Sequence, residues 1–218
     1  MKRITAVLVL GLPVLLCGCA TTGYRRASLT RSVLTDARTV TVRVQQQIDV
    51  AVQTLQDLSS QETNDLRPPY DRFSTAITSL GIQVNRLANR SRVIQELSND
   101  YVAAWEKELG LYRGAAIRTR SAERRGAVME SFQGLGQQFQ TADQSLRPLL
   151  VDLKDMHRYL SIDLTIAGVT SALDLAVSIA KQATVAAQHL ESLHAELGRV
   201  ATELSPVRLE TEAPKVPK

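Results

Sequence analysis

Two cysteines, Cys17 and Cys19, carry the first candidate chemistry, because thiols two residues apart could form a disulfide or supply half of a metal site. They follow an apolar run, residues 4–16, that begins after the charged residues Lys2 and Arg3. A charged start followed by about 13 apolar residues is typical of a cleaved export signal, whereas a membrane-spanning helix needs roughly 20. The apolar run therefore predicts that the protein is exported. One interpretation of the cysteine segment is a generic secretory cleavage site.

The tail of this segment, Leu16-Cys17-Gly18-Cys19, resembles the lipobox of bacterial lipoproteins. In that family a small residue precedes the cysteine that receives diacylglycerol, and cleavage occurs just before this cysteine. Gly18 is small and Leu16 is not, so the resemblance implies a signal peptide of residues 1–18 and a lipidated Cys19. Ala20 follows in place of Asp, which in this family implies the outer membrane, facing the periplasm. Cys17 is an unusual occupant of its position, and no cysteine beyond Cys19 is left to form a disulfide.

The histidines offer the only spacing that resembles a metal motif. Glu191 and His194 form one Glu-x-x-His, which di-iron bundle proteins use on two helices together with two further glutamates. Lys154 stands three residues before His157, so no second copy exists, and His189 and His194 are five apart and do not share a helix face. We therefore predict no metal site, no cofactor, no catalytic residues and no enzymatic activity.

Composition limits the remaining classes. Residues 1–18 contain two of the 26 basic residues and none of the 22 acidic ones, so their removal lowers the net charge from +4 to +2. This balance is unlike that of a nucleic-acid-binding protein. Only 11 glycines, 7 prolines and 4% aromatic residues occur, which favours helices over strands.

Four amphipathic segments must position any functional residue. Their apolar residues recur at alternating steps of three and four, as on one face of a helix. The stripes run along residues 33–58, 73–112, 128–160 and 169–204. They predict helices of about 33, 45, 43 and 35 residues. Pro68 and Pro69 suit the start of the second helix, and Pro148 should kink the third or start a new one.

The predicted fold is all-α, an elongated, antiparallel, coiled-coil-like four-helix bundle over residues 28–205. At 1.5 Å per residue its longer helices would span about 65 Å. Residues 19–27 would link the bundle to the anchor, and residues 206–218, charged and proline-bearing, would form a disordered tail.

Several stretches resemble a family of bacterial lipoproteins of unknown function, the family numbered 2959. The matching residues are Trp105, Glu106, Glu108, Leu109, Tyr112, Arg118, Ser121, the stretch 146–150, Asp155, Tyr159, Leu160 and Leu164. The chain departs from the family pattern at residues 161–165. The resemblance implies a helical envelope lipoprotein and brings no activity with it.

Basic residues crowd the turn between the second and third helices. The five arginines are Arg113, Arg118, Arg120, Arg124 and Arg125. Because the second helix returns toward the anchor, we expect this turn to pass the start of the first helix by roughly 15 Å. It would there touch anionic lipid headgroups or an acidic envelope protein partner at the membrane surface. The alternative is a solvated turn whose arginines pair with Glu106, Glu108 and Glu123.

The sequence therefore favours a non-enzymatic structural or protein-interaction element of the cell envelope, held to the membrane through lipid on Cys19. The alternative is a periplasmic module that binds or senses a small apolar ligand between the helices, beside the alanine-rich half of the fourth. Self-association is a further prediction, because Ser91, Ser98 and Glu108 interrupt one apolar stripe.

Overall fold

Five helices make up nearly all of the described chain. The computed structural model describes residues 18–60 and 65–206. The helices are α1 (Gly18–Ser59), α2 (Arg67–Leu109), α3 (Ala115–Ile162), α4 (Ile166–Ser171) and α5 (Leu173–Glu203). No strand occurs within the described ranges, so the predicted all-α fold is confirmed. Residues 1–17 of the predicted signal peptide (1–18) and residues 207–218 of the predicted tail (206–218) lie outside the described residues.

The four long helices form a ring in which α1 and α3 each pack against both α2 and α5. Asp36 pairs with Arg90 at 2.7 Å, and the guanidinium of Arg26 lies 5.6 Å from the ring centre of Tyr101. Residue numbers thus rise along α1 as they fall along α2, which makes this pair antiparallel.

The other neighbours are antiparallel as well. Tyr70 and His157 join one end of α2 to the far end of α3 at 2.9 Å, and the Trp105 indole N–H donates to Ser121 Oγ at 2.8 Å near the hairpin. A hydrogen bond of 2.8 Å from Arg38 Nε to His194 Nε2 joins α1 to α5. These contacts confirm the predicted antiparallel bundle.

The apolar stripes become the core. All ten predicted stripe positions of α3 are buried, from Val128 to Leu160. In the last helix the predicted apolar stripe was incomplete, because Ile179, Ala186, Leu193 and Val200 are also buried. Helix α5 lies between α1 and α3, so it buries two adjoining faces instead of one.

Helix boundaries differ from the expectation in three places. Helix α1 begins at Gly18, so residues 19–27, expected as a linker, form its first turns. The fourth predicted helix is divided into α4 and α5 at Ala172. Helix α3 runs through Pro148 without restarting. Pro68 and Pro69 do lie in the first turn of α2, where a missing backbone N–H costs no helical bond.

We distinguish two ends of the bundle. The closed end comprises the end of α1, the start of α2, the end of α3, helix α4 and the start of α5. The open end comprises the start of α1, the end of α2 and the start of α3. None of the helices in the described ranges combines the length and hydropathy that a membrane crossing requires.

Candidate functional site

Helix α5 stops short of the open end. Its last residue, Glu203, accepts a hydrogen bond of 2.8 Å from Arg124. Helix α3 begins nine residues before Arg124, at Ala115, which is about 14 Å of helix rise. Over this distance α1, α2 and α3 are the only helices of the described residues 18–60 and 65–206 that continue, so within these ranges the open end has three helices.

The backbone of Cys19 lies at the same level as the end of α2. Arg26 and Tyr101 are level with each other. Cys19 precedes Arg26 by seven residues, about 10 Å, and Leu109 follows Tyr101 by eight, about 12 Å. The predicted overshoot of the hairpin past the first helix is therefore wrong. The hairpin does extend about 15 Å beyond Ser28, which was the predicted start of the first helix. Helix α1, however, begins ten residues earlier and runs alongside the hairpin.

Burial at the open end is partial. No described side chain within residues 23–29 or 95–127 is fully buried. Aromatic rings pack together there: the ring centre of half-buried Tyr101 lies 5.8 Å from that of half-buried Trp105 on the same helix and 6.2 Å from that of buried Phe132 on α3. Burial raises the pKa of Tyr101, although the nearby charges of Arg26 and Arg124 oppose the rise.

Two of the five predicted arginines are held by carboxylates. Arg124 pairs with Glu203 at 2.8 Å, and Arg125 pairs with Glu106 at 3.3 Å. The pairing of Arg125 with Glu106 confirms part of the alternative interpretation. Sequence reasoning missed Glu203, which is 79 residues from Arg124 in the chain. No local pattern reports a contact over that separation.

The other three arginines keep an uncompensated charge. Arg118 donates a hydrogen bond to the neutral carbonyl of Tyr112 at 2.5 Å. Arg113 and Arg120 are exposed and have no hydrogen bond or ion pair with any described residue. These three side chains, together with exposed Arg25 on α1, make the open end basic.

Two large apolar side chains stand among these charges. Leu111 is 73% exposed and Ile117 is 54% exposed, on either side of the turn that joins α2 to α3. Sequence reasoning did not assign them a role, because neither belongs to a helix stripe. Their signal was the occurrence of apolar residues inside an arginine-rich turn.

A carboxylate network holds the end of α5 in place. Glu203 accepts hydrogen bonds from Arg124 and from Ser131 Oγ, each at 2.8 Å, and pairs with Arg199 at 3.1 Å. Burial alone would raise the pKa of Glu203, but these hydrogen bonds and the two arginine charges lower it overall. A hydrogen bond from Arg199 likewise lowers the pKa of Glu196, against the opposing effect of burial.

Two of the three histidines, His157 and His194, make contacts between helices. His194 accepts from Arg38 and lies 3.2 Å from Thr41 Oγ1, and the ring of His157 stacks on Tyr70 with centroids 5.0 Å apart. Within the described ranges no three His, Cys, Asp or Glu side chains are grouped as metal ligands would be.

Together these features define an all-α bundle protein with a basic hairpin at one end. The sequence profile of the family described as "Protein of unknown function (DUF2959)" matches residues 19–198, and the chain belongs to this family. No curated protein and no solved structure matches the chain significantly. The match confirms the resemblance to family 2959, while the lipoprotein character of the chain stays a prediction, and it assigns no activity.

Proposed function

We propose that this protein is a non-enzymatic interaction element of the cell envelope, anchored by lipid on Cys19 to the periplasmic face of the outer membrane. One observation carries the proposal: the start of α1, three uncompensated arginines and two exposed apolar side chains lie at the same end of the bundle. A further point in its favour is that the family match begins at Cys19 itself.

The chemistry of the open end suits an anionic lipid surface. Each arginine near such a surface contributes about 1 kcal/mol of binding free energy. A lipid chain combined with a basic patch is the usual pair of signals for stable attachment. Leu111 and Ile117 would add apolar contact at the boundary between headgroups and acyl chains. The lipid on Cys19 and the hairpin would then hold the bundle at two neighbouring points.

This attachment gives the bundle a direction. From Cys19 to Ser59 helix α1 rises about 60 Å, so the closed end would stand that far from the membrane surface if the bundle is upright. The protein would act by position, presenting its helix faces to envelope partners at a fixed distance from the membrane.

The anchor is tested by a pair of cysteine variants. We expect Cys19→Ala to abolish the acyl modification seen by mass spectrometry and to release the protein from the membrane fraction. Cys17→Ala is the matched control and should remain lipidated and membrane-bound. Release by both variants, or by neither, would contradict lipidation at Cys19.

Contact of the open end with lipid is tested through the single tryptophan. Trp105 lies four residues from the end of α2, about 6 Å along the helix. In vesicles containing phosphatidylglycerol, we expect headgroup spin-labelled lipid to quench Trp105 fluorescence in the lipidated protein. In a Trp105→Phe, Ile162→Trp variant the probe stands at the closed end, and quenching should be absent.

Charge variants identify the side chains that bring the open end into contact with lipid. Replacing Arg113, Arg118 and Arg120 by Gln should reduce the quenching strongly, because about 3 kcal/mol of attraction is removed. The matched control replaces Arg43, Arg72 and Arg86, three exposed arginines away from the open end, and should leave quenching unchanged. Equal effects of both triple variants would show that net charge, and not the hairpin, governs the contact.

The alternative, a small apolar ligand held beside the alanine-rich half of α5, stays a prediction. In the alanine-rich half of α5, Ala176, Ala180 and Ala187 are half-buried and Ala183 is buried.

A further inference from the structure

A groove runs between α2 and α3 in the middle of the bundle, and its α2 wall reaches the open end at residues 95–99. It is lined by residues from 84–99 of α2 and 132–147 of α3 and encloses a volume of about 690 Å³. Fifteen residues of helix correspond to a length of about 22 Å. Ser91 and Ser98 occupy core-stripe positions of α2, and Gly136 of α3 also lines the groove. These small residues leave open a seam that larger apolar side chains would fill.

Uncharged hydrogen-bonding groups line both walls of this groove. They are Ser91, Gln95, Ser98 and Asn99 on α2, and Gln133, Gln137 and Gln140 on α3. None of these seven side chains forms a hydrogen bond with any group in the part of the chain that the structure describes. Along each wall they recur at steps of three or four residues, about 5 Å apart, with Asn99 directly after Ser98 on α2. The groove thus presents two facing rows of free donors and acceptors.

The groove carries no net charge and no deep apolar pocket. Its charged lining residues are Asp143 and Arg147, which pair with each other at 2.5 Å near one end. The apolar floor is largely covered: Leu87 and Ile94 are each 4% exposed, and Phe132 and Phe139 are each 6% exposed. A charged ligand would find no counter-charge along most of the groove, and an apolar ligand would leave the polar side chains of both walls without partners.

We propose that this groove binds an uncharged glycan chain. Such a chain is slender and carries hydroxyl groups, which both donate and accept, along both edges. Side-chain amides match these groups because each offers two donors and an acceptor. An extended peptide could also use the amides, but its side chains would need pockets to give specificity, and the floor provides none. The inference does not depend on the membrane proposal, since it concerns another face and does not involve Cys19.

The experiment is a titration of the lipidated, isotope-labelled full chain, held in a detergent that has no sugar headgroup. The probes are three uncharged hexasaccharides: chitohexaose, cellohexaose and maltohexaose. We expect at least one to shift the side-chain amide signals of Gln133, Gln137 and Gln140 in nuclear magnetic resonance spectra. The side-chain signal of Gln188, an exposed residue of α5, should not move.

Two variants and one control tie the binding to the groove. Gln137→Ala should weaken binding about three- to tenfold, the value of one hydrogen bond. Ser98→Leu should fill the open seam, abolish binding and leave the thermal midpoint no lower than in the wild type. Gln188→Ala should change nothing.

Several results would overturn the proposal. One is the absence of groove shifts with all three sugars, and another is undiminished sugar binding by the Ser98→Leu variant. A third is selective binding of a neutral Gly-Ser repeat peptide, which would assign the groove to a polypeptide. None of these results bears on the tryptophan quenching experiment, so the two proposals fail separately.

Discussion

The closed and open ends of the bundle differ in what lies between their helices. At the closed end Phe73, Leu153 and Leu160 are at most 1% exposed, and Val169 of α4 belongs to the same core. At the open end α5 is missing, the rings of Tyr101 and Trp105 are half-buried, and the outermost apolar side chains face solvent. Because apolar burial is the main stabilising force, the closed end should contribute most of the free energy of folding. The open end has its apolar and charged groups available for contact.

The largest expected effect is on the stability of the closed end. Leu160→Ala should lower the free energy of unfolding by about 3.5 kcal/mol, because a fully buried leucine is replaced by a cavity. Leu111→Ala makes the same chemical change at the open end and should cost less than about 0.5 kcal/mol. Urea denaturation of the two variants measures both values. Similar losses would mean that the open end is packed as well as the closed end.

Glycines sharpen the comparison at the level of the backbone. A Cβ added to Gly168 would clash with the backbone oxygen of Asp163, so Gly168→Ala should cost about 2 kcal/mol by displacing α4. At Gly126 of α3 a Cβ would meet nothing within 4 Å. Gly126→Ala should therefore stabilise the protein by about 0.5–1 kcal/mol through better helix propensity. Thermal denaturation followed by circular dichroism tests both, and a stabilising Gly168→Ala would contradict the described packing of α4.

The sequence predicted the parts of this contrast that depend on local periodicity. The stripe of α3 was correct at every position because each residue faces the core along one continuous helix. The interruptions at Ser91 and Ser98 were visible in the sequence, and their reason is the groove between α2 and α3. Self-association, which was predicted from the same interruptions, stays a prediction.

Other parts of the contrast between the two ends depend on how the helices are aligned with each other. The periodicity of apolar residues contains no information on this alignment. The predicted position of the arginine turn relative to α1 was wrong because it was measured from Ser28, the predicted start of this helix. The helix begins ten residues earlier, at Gly18. The pairing of Arg124 with Glu203 required knowing where α5 ends relative to α3. A heptad stripe repeats, so several alignments of two helices satisfy it equally well.

The smallest expected effect is at the junction where α5 ends. The lowered pKa of Glu203 means that its carboxylate stabilises the fold above its ordinary value of about 4.5, and that this stability is lost as the pH falls through the lower folded value. Glu203→Gln should therefore cost about 1 kcal/mol at pH 7.

The difference from the wild type should shrink as the pH is lowered below about 4.5. Glu123→Gln is the matched control, since Glu123 is exposed and has no ion pair with any described residue, and it should have no effect at either pH. A difference for Glu203→Gln that stays constant with pH would show that the loss does not come from the charge of Glu203.

The central claim, that the open end faces the membrane, is tested most directly by photo-crosslinking in cells. A photoreactive amino acid replaces Ile117 at the open end, or Ile162 at the closed end, which is 84% exposed. Our account predicts lipid adducts from position 117 and none from position 162. Lipid adducts from position 162 alone, or a discrete protein adduct from position 117, would contradict it and make the hairpin a docking site for a protein.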